Sequence, residues 1–459
     1  MNRLKRMLTI LCAFAFTFSQ AQHGESKVPY DAAKMKWFED AKLGIFIHWG
    51  IYAVNGIPES WSFYNKQISY KDYMDQVKGF TASNYNPGQW ASLFKEAGAK
   101  YVVMTAKHHD GVALWNTRLS DLSVVKKTPA KRDLLGPYAD ALRKEGLKVG
   151  IYFSHLDWSH PDYASVSQAG MENTPNEKRN TFSYPLQGKD DPSRWQQFIK
   201  FHRGQLKELS LGYKPDLLWF DGDWERSAEQ WNMKQLRDSL LKWNPDVILN
   251  ARMNGYGDYL TPEQGVPITR PNGKWELCMT TNDSWGYQTG DKNFKTPRQI
   301  INIFAECISM GGNLLLDIGP KADGSLQEEQ VAILKSIGKW NQKHEEAIYP
   351  TVAGLPFGHF YGPTTLSKDS TRIYLFLVAQ PWETVAVKGI RNKIKSIRVV
   401  GTNETLESKK MGGASWLNIP GILYINKPKS YDENLTVLAI DLEGKLDLYH
   451  GSGAAVENN

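Results

Sequence analysis

A chain of 459 residues buries an ample core without disulfide staples, and its three cysteines follow no zinc-type spacing. The net charge of +6 comes from Lys and Arg spread evenly along the chain, with no basic stripe, so nucleic acid is excluded as an expected partner. Sixteen Trp and 21 Tyr are a heavy aromatic load, which supplies core packing and flat apolar faces on which sugar rings can stack.

In chain order, Arg3, Lys5 and Arg6 precede a short apolar stretch at 7–18 and the small residues Ser19 and Ala21. This layout predicts a secretory signal peptide over 1–21, too short to span a bilayer. Export to the periplasm or the exterior is expected, with no membrane anchor, because no later run is apolar enough. Two cysteines then remain, Cys278 and Cys307, and nothing in their spacing asks them to pair.

From residue 22 to 348 one pattern repeats. Apolar, β-branched runs end in polar side chains: 44–50, 101–111, 147–155, 215–222, 245–252, 275–282 and 313–320. Unbroken apolar runs of this length fit strands buried on both faces of a parallel sheet. Helix-length segments lie between them, at 86–99, 132–146, 193–210, 228–243, 296–312 and 326–348, with Pro near a start and Gly near an end where expected. No Gly-rich nucleotide fingerprint follows the first run. Instead nearly every run carries a reactive side chain at its C-terminal end: His48, His108, His109, Tyr152, His155, Asp221, Arg252, Asn282 and Asp317. Convergence of such residues from several strand ends is the active-site layout of a (β/α)8-like barrel. Seven runs are clear, so the eighth strand is weak or missing. From 349 to 459 the texture changes to period-two alternation, as in TRIYLFLVAQ and LTVLAIDLEG, which predicts a C-terminal antiparallel β-sandwich. The tail from 451 reads as disordered.

Asp221, in LLWFDGDW, ends a buried run and is followed by Gly222. Trp219 shares its face, because strand neighbours two apart do. A carboxylate beside an aromatic plate suits sugar cleavage: the charge meets the anomeric carbon and the ring packs on the sugar's apolar edge. A helix cap or a salt bridge is the plainer reading of this aspartate taken alone. A glycosidase needs a second carboxyl group to protonate the leaving oxygen. Glu263 lies in YGDYLTPEQGVP, a Gly- and Pro-bounded loop able to fold over a barrel mouth. Glu276 starts a strand, nearer the barrel base. Glu59, in PESW, is a third candidate. Geometry favours Glu263.

The motifs HWG at 48–50, ESW at 59–61, KHHDG at 107–111, WFDG at 219–222, TPEQ at 261–264, GKWELC at 273–278 and SWGY at 284–287 together resemble the α-L-fucosidase family of retaining glycoside hydrolases. The resemblance spans about residues 30 to 350, and a C-terminal sandwich also fits the family. It implies a nucleophile at Asp221, fucose-pocket histidines at His48, His108 and His109, and an aromatic wall of Trp61, Trp219 and Trp285. It further implies substrate contacts from Tyr152 and Arg252. The acid/base is not uniform in the family: it falls on Glu263 in some members, Glu276 and Cys278 belong to a signature also suspected of a catalytic part, and the Glu59 position is implicated in others. Fucosylated oligosaccharides or glycoconjugates are the expected partners, and no cofactor is expected. The loops at 158–192 and 254–274 are expected to set linkage preference. Asp110 is expected to buttress a histidine.

Two rival classes remain in view. One is a metal-dependent barrel hydrolase with His48, His108, His109 and Asp317 as ligands; adjacent strand histidines point to opposite faces, which argues against it unless the strand ends first. The other is a non-catalytic carbohydrate-binding protein, which has no need of the aspartate and the candidate acids together.

Overall fold

The computed structural model describes residues 26–163 and 191–451. The expected signal peptide, most of the polar stretch 158–192 and all but the first residue of the expected disordered tail lie outside the described residues.

Seven parallel strands form one curved sheet: β1 (Leu43–Ile47), β2 (Tyr101–Lys107), β3 (Lys148–Ser154), β4 (Leu217–Asp221), β5 (Ile248–Leu249), β6 (Glu276–Thr280) and β7 (Asn313–Ile318). Their order is β5-β4-β3-β2-β1-β7-β6. All seven apolar runs of the sequence are strands, and all six helical segments contain helices. Alternation explains why the runs are unbroken. Phe46, Val103, Tyr152, Leu217, Trp219, Cys278 and Leu315 share one buried cluster inside the barrel. Their strand neighbours Ile45, Ile47, Val102, Met104, Ile151, Leu218, Leu314 and Leu316 belong to a second cluster, packed under the outer helices. Both faces are dry, so neither face calls for polar residues.

The gap between β5 and β6 is closed by a short extended segment, not by a regular strand. Parallel bridges join Asn250 to Tyr259, Leu260 to Trp275 and Glu263 to Cys278. Pro262 has no N–H to give, but its carbonyl accepts from Cys278 N at 3.1 Å, and Gln264 N donates to Cys278 O at 2.9 Å. Glu263 therefore stands in the barrel wall and not in a loop lying over the mouth, as its Gly- and Pro-bounded setting suggests. The helix Ala32–Ala41, which the sequence reading does not include, plugs the base: Asp31 caps it, and the Phe38 ring lies 4.3 Å from that of Tyr259.

The C-terminal part is a β-sandwich. One sheet orders β8 (Thr351–Ala353), β9 (Thr364–Ser367), β10 (Arg372–Leu377), β12 (Ile394–Val399) and β15 (Thr436–Leu442) as β12-β15-β10-β9-β8. The other orders β11 (Thr384–Val387), β13 (Ser408–Met411) and β14 (Ile422–Asn426) as β11-β14-β13. Every neighbouring pair is antiparallel. Among the described residues no helix is long and apolar enough to cross a membrane.

Candidate active site

The C-terminal ends of the strands carry the site. Asp221, last in β4, is buried and has three neighbours. Arg252 Nη1 donates to its Oδ1 at 2.6 Å, Tyr152 Oη donates to Oδ2 at 2.8 Å, and His109 Nε2 stands 3.7 Å from Oδ2. The other terminal nitrogen of Arg252, Nη2, donates to Glu263 Oε2 at 2.5 Å. One planar guanidinium thus holds two carboxyl groups, which keeps the bonded oxygens within about 7 Å of each other. The Glu263 side chain is 38% exposed, whereas those of Asp221 and Arg252 are nearly covered, so Glu263 is the carboxyl group that faces solvent.

Glu276 is placed differently. It is fully buried at the first position of β6, where Tyr101 Oη donates to Oε2 and Trp219 Nε1 donates to Oε1 at 3.0 Å. Burial pushes its carboxyl up to about 7. Trp219 stands between Glu276 and Arg252: the guanidinium lies 4.6 Å over its ring, and Tyr152 stacks on it at 5.6 Å. With 2% of its surface exposed, Trp219 supports Arg252 more than it presents a free plate to a sugar.

The backbone at the paired histidines breaks where it must for both to serve. β2 shifts register between Thr105 and Lys107 and ends there. Gly111 then turns the chain with φ +80° and its N–H on His108 O, in a position where a Cβ would sit 2.3 Å from Asp157 Oδ1. His108 and His109 lie outside the strand with ring centroids 4.2 Å apart, and His48 is 6.2 Å from His108. Burial holds all three rings well below their ordinary pKa, so they are neutral.

Each histidine spends Nδ1 on the protein. His48 meets Asp317 Oδ1 at 2.7 Å, a contact that requires one proton between the two atoms. His108 meets Ser60 Oγ at 2.5 Å, and His109 meets Ser154 Oγ at 2.6 Å. Ser154 Oγ–H donates onward to Leu156 O at 2.8 Å, so it accepts from His109 Nδ1–H. His109 Nε2 is then a bare lone pair in a fully buried setting, without a hydrogen-bond partner. Such an atom awaits a hydroxyl donor. Sequence reasoning missed Ser60 and Ser154, because a serine near a histidine in space leaves no mark in sequence spacing. It also misassigned Asp110. That carboxylate accepts from Tyr73 Oη at 2.6 Å and Val112 N at 2.9 Å, which shapes the turn after the histidines and supports neither ring.

The rest of the wall follows from the loops. Trp285 packs 5.0 Å from His48. Trp61 lies 5.4 Å from His109 and runs nearly parallel to Trp224, 6.4 Å away. Glu59 is buried and accepts from Gly286 N at 2.5 Å, so it ties the loop bearing Trp61 to the loop bearing Trp285. Cys278 is buried inside the barrel with its thiol against Pro262 O at 3.7 Å; it and Cys307 are both free thiols. Among the described residues no three His, Cys, Asp or Glu side chains are grouped to hold a metal ion.

Two carboxyl groups on one guanidinium at the mouth of a parallel barrel, one nearly covered and one open to solvent, are the kind of pair that acetal cleavage by a glycoside hydrolase uses. Similarity to known proteins narrows the class. The α-L-fucosidase family model matches residues 12–346. The rat tissue α-L-fucosidase is 33% identical over 346 residues, covering 68% of this chain and 69% of its own; the human tissue enzyme is 33% identical over 344 residues, 68% of each. The α-L-fucosidase isoenzyme 1 structure from Paenibacillus thiaminolyticus superposes with a TM-score of 0.79 at 31% identity, covering 89% of this chain and 99% of that one. An α-L-fucosidase from Bacteroides thetaiotaomicron, solved as a covalent intermediate trapped with 2-fluoro-fucosyl fluoride, superposes with a TM-score of 0.79 at 26% identity, covering 92% and 99%. The chain belongs to the α-L-fucosidase family.

Proposed function

We propose that the protein is an exo-acting α-L-fucosidase that removes terminal α-L-fucose from glycans by a retaining double displacement, with Asp221 as nucleophile and Glu263 as acid/base. The observation that carries this reading is the Arg252 bridge from Asp221 Oδ1 to Glu263 Oε2. Asp221, ionised, attacks the anomeric carbon as the glycosidic C–O bond breaks, and Glu263, protonated on the oxygen that Arg252 does not hold, passes that proton to the departing oxygen. Water then gives a proton back to Glu263 and attacks the same carbon, and the ester to Asp221 breaks. The separation expected for this chemistry is about 5–5.5 Å between the two carboxyl groups. The covalent intermediate captured in the Bacteroides thetaiotaomicron enzyme is consistent with the retaining route. His48, His108 and His109, all neutral, receive or give hydrogen bonds to sugar hydroxyls, and Trp285 and Trp61 cover the sugar's apolar parts. Glu276 is disfavoured as the acid because both its oxygens are engaged beneath Trp219. Export through the N-terminal signal, and a C-terminal β-sandwich domain over 349–459, complete the reading.

The test is azide rescue on an aryl α-L-fucoside. Glu263→Ala with azide is expected to yield the α-fucosyl azide, with retained configuration, and regain turnover, whereas Glu276→Ala is not rescued. Rescue of Glu276→Ala alone would overturn the acid/base assignment. Asp221→Ala is expected to abolish turnover in a folded protein, and substantial residual activity would sink the nucleophile assignment.

A further inference from the structure

Arg252 is placed without the help of the sheet. β5 ends at Leu249, three residues earlier, and the chain then turns tightly: Met253 N donates to Ala251 O, and Asn254 adopts φ +47°. The Arg252 carbonyl accepts from one side chain, His155 Nε2, at 3.1 Å. His155 follows β3 directly, and its backbone N–H donates to Asp221 O at 2.7 Å. One residue therefore fastens both ends of the Asp221–Arg252 pair, its main chain holding one and its side chain the other.

Behind His155 stands a chain of partners whose direction is fixed. Arg203 Nη1 meets His202 Nδ1 at 2.8 Å, and His202 Nε2 meets His155 Nδ1 at 3.1 Å. A guanidinium can only donate. His202 Nδ1 must then accept, its Nε2–H must donate to His155 Nδ1, and His155 Nε2–H must donate to the Arg252 carbonyl. Every link has one donor and one acceptor, with no choice of tautomer left. Both imidazoles are fully buried, with Phe220 stacked on His155 at 4.6 Å and Trp231 5.7 Å from His202. Burial pushes His155 down to about 3 and His202 well below its ordinary value, so the order persists across the working range of pH.

We propose that Arg203, His202 and His155 form a one-way hydrogen-bond relay that positions Arg252 between Asp221 and Glu263, with His155 as the positioning residue that cross-links the two backbones. The proposal rests on the assignment of Asp221 and Glu263 as the reacting pair. It concerns orientation alone: no proton moves along the relay in the reaction.

The experiment compares His155→Phe with His155→Gln on an aryl α-L-fucoside. Glutamine can accept from His202 through its oxygen and donate to the Arg252 carbonyl through its nitrogen, whereas phenylalanine does neither. A small misplacement of a catalytic group costs up to about 100-fold, so kcat of the folded His155→Phe protein is expected to fall about 10- to 100-fold, with KM changed by less than about threefold. Its pH–rate limbs are expected to move, and His155→Gln to regain most of kcat and the original profile. If His155→Phe does not fold, His155→Asn takes its place, since its amide stops one bond short. Wild-type kcat and pH profile in the folded Phe or Asn variant would overturn the relay, as would a glutamine variant no better than them. Asp221→Ala, run alongside, separates the two ideas: activity surviving there condemns the assignment of the pair, while an inactive Asp221→Ala beside a fully active His155→Phe condemns the relay alone.

Discussion

At the scale of single residues, the site is built from neutral groups arranged around one ion-paired cluster. His109 is the clearest case, because Ser154 and Leu156 dictate which nitrogen carries the proton. With Nε2 left as a bare acceptor, His109→Phe is expected to lower kcat/KM on an aryl α-L-fucoside by about 10- to 100-fold, the loss of one buried hydrogen bond to a substrate hydroxyl. A substrate lacking that hydroxyl should then show almost no further loss, and an equal additional loss would remove His109 from the sugar pocket. Glu276 makes a separate prediction, for stability. Burial raises its carboxyl from 4.5 to about 7, so the folded chain keeps the proton while the unfolded chain releases it. Its contribution is complete below pH 4.5 and is lost as pH rises to about 7, because only the unfolded state ionises in that window. The slope is at most about 1.4 kcal/mol per pH unit. Glu276→Gln, uncharged at every pH, should flatten urea-denaturation stability between pH 5 and 7 and retain most turnover. The wild-type slope persisting in the variant would show that Glu276 ionises in the folded protein.

Among the elements, the segment at 259–263 decides whether Glu263 reaches the site. The chain must return beside β5 within a few residues, and Gly257 makes the turn possible: a Cβ there would sit 2.0 Å from Asn250 O and 2.6 Å from Ala251 Cα. Gly257→Ala is accordingly expected to destabilise the fold by about 1–3 kcal/mol in urea denaturation. It should also lower kcat, since the same shift displaces Glu263 from Arg252; unchanged stability together with unchanged kcat would mean the turn is not rigid. This segment also marks the limit of what the sequence reveals. The seven strands are legible because they lie in unbroken apolar runs buried on both faces, and the outer helices because an apolar stripe repeats along each. The closing segment contains Pro262, pairs through isolated bridges and has no period of its own, so it reads as a loop. The plug helix Ala32–Ala41 buries only Met35, Phe38 and Ala41 among charged residues, too thin a stripe to stand out. Asp221, the histidines and Arg252 are legible because they end, or closely follow, apolar runs of the sequence. Ser60, Ser154 and Asp317 are not legible as histidine partners, because each meets its ring only through the closure of the barrel.

Across the whole molecule, the sandwich is not an appendage on a tether. β10 and β15 show one face to the sandwich interior, where Ile373, Leu375, Leu438 and Ile440 pack, and the other to the barrel's outer helices. On that second face Tyr374, Phe376, Val437 and Ala439 belong to the same buried cluster as Ile333, Ile337 and Trp340 of the helix Glu328–Lys343. Trp340 is the centre of this joint: it is 2% exposed, its Nε1 donates to Leu435 O at 2.8 Å, and its ring lies 6.3 Å from that of Phe376. Around it, Arg398 and Arg372 converge on Glu346, at 2.6 and 3.4 Å. A dry joint that shares one core with the barrel should make the two parts unfold together, so calorimetry is expected to give one transition whose van't Hoff and calorimetric enthalpies agree. Trp340→Ala removes the largest shared side chain and leaves the Leu435 carbonyl unpaired, at a cost of about 3–5 kcal/mol. The variant should split into two transitions, while kcat at room temperature stays near wild type because the joint lies on the outer helices and not at the barrel mouth. Two resolved transitions already present in the wild type would show that the sandwich is energetically independent of the barrel.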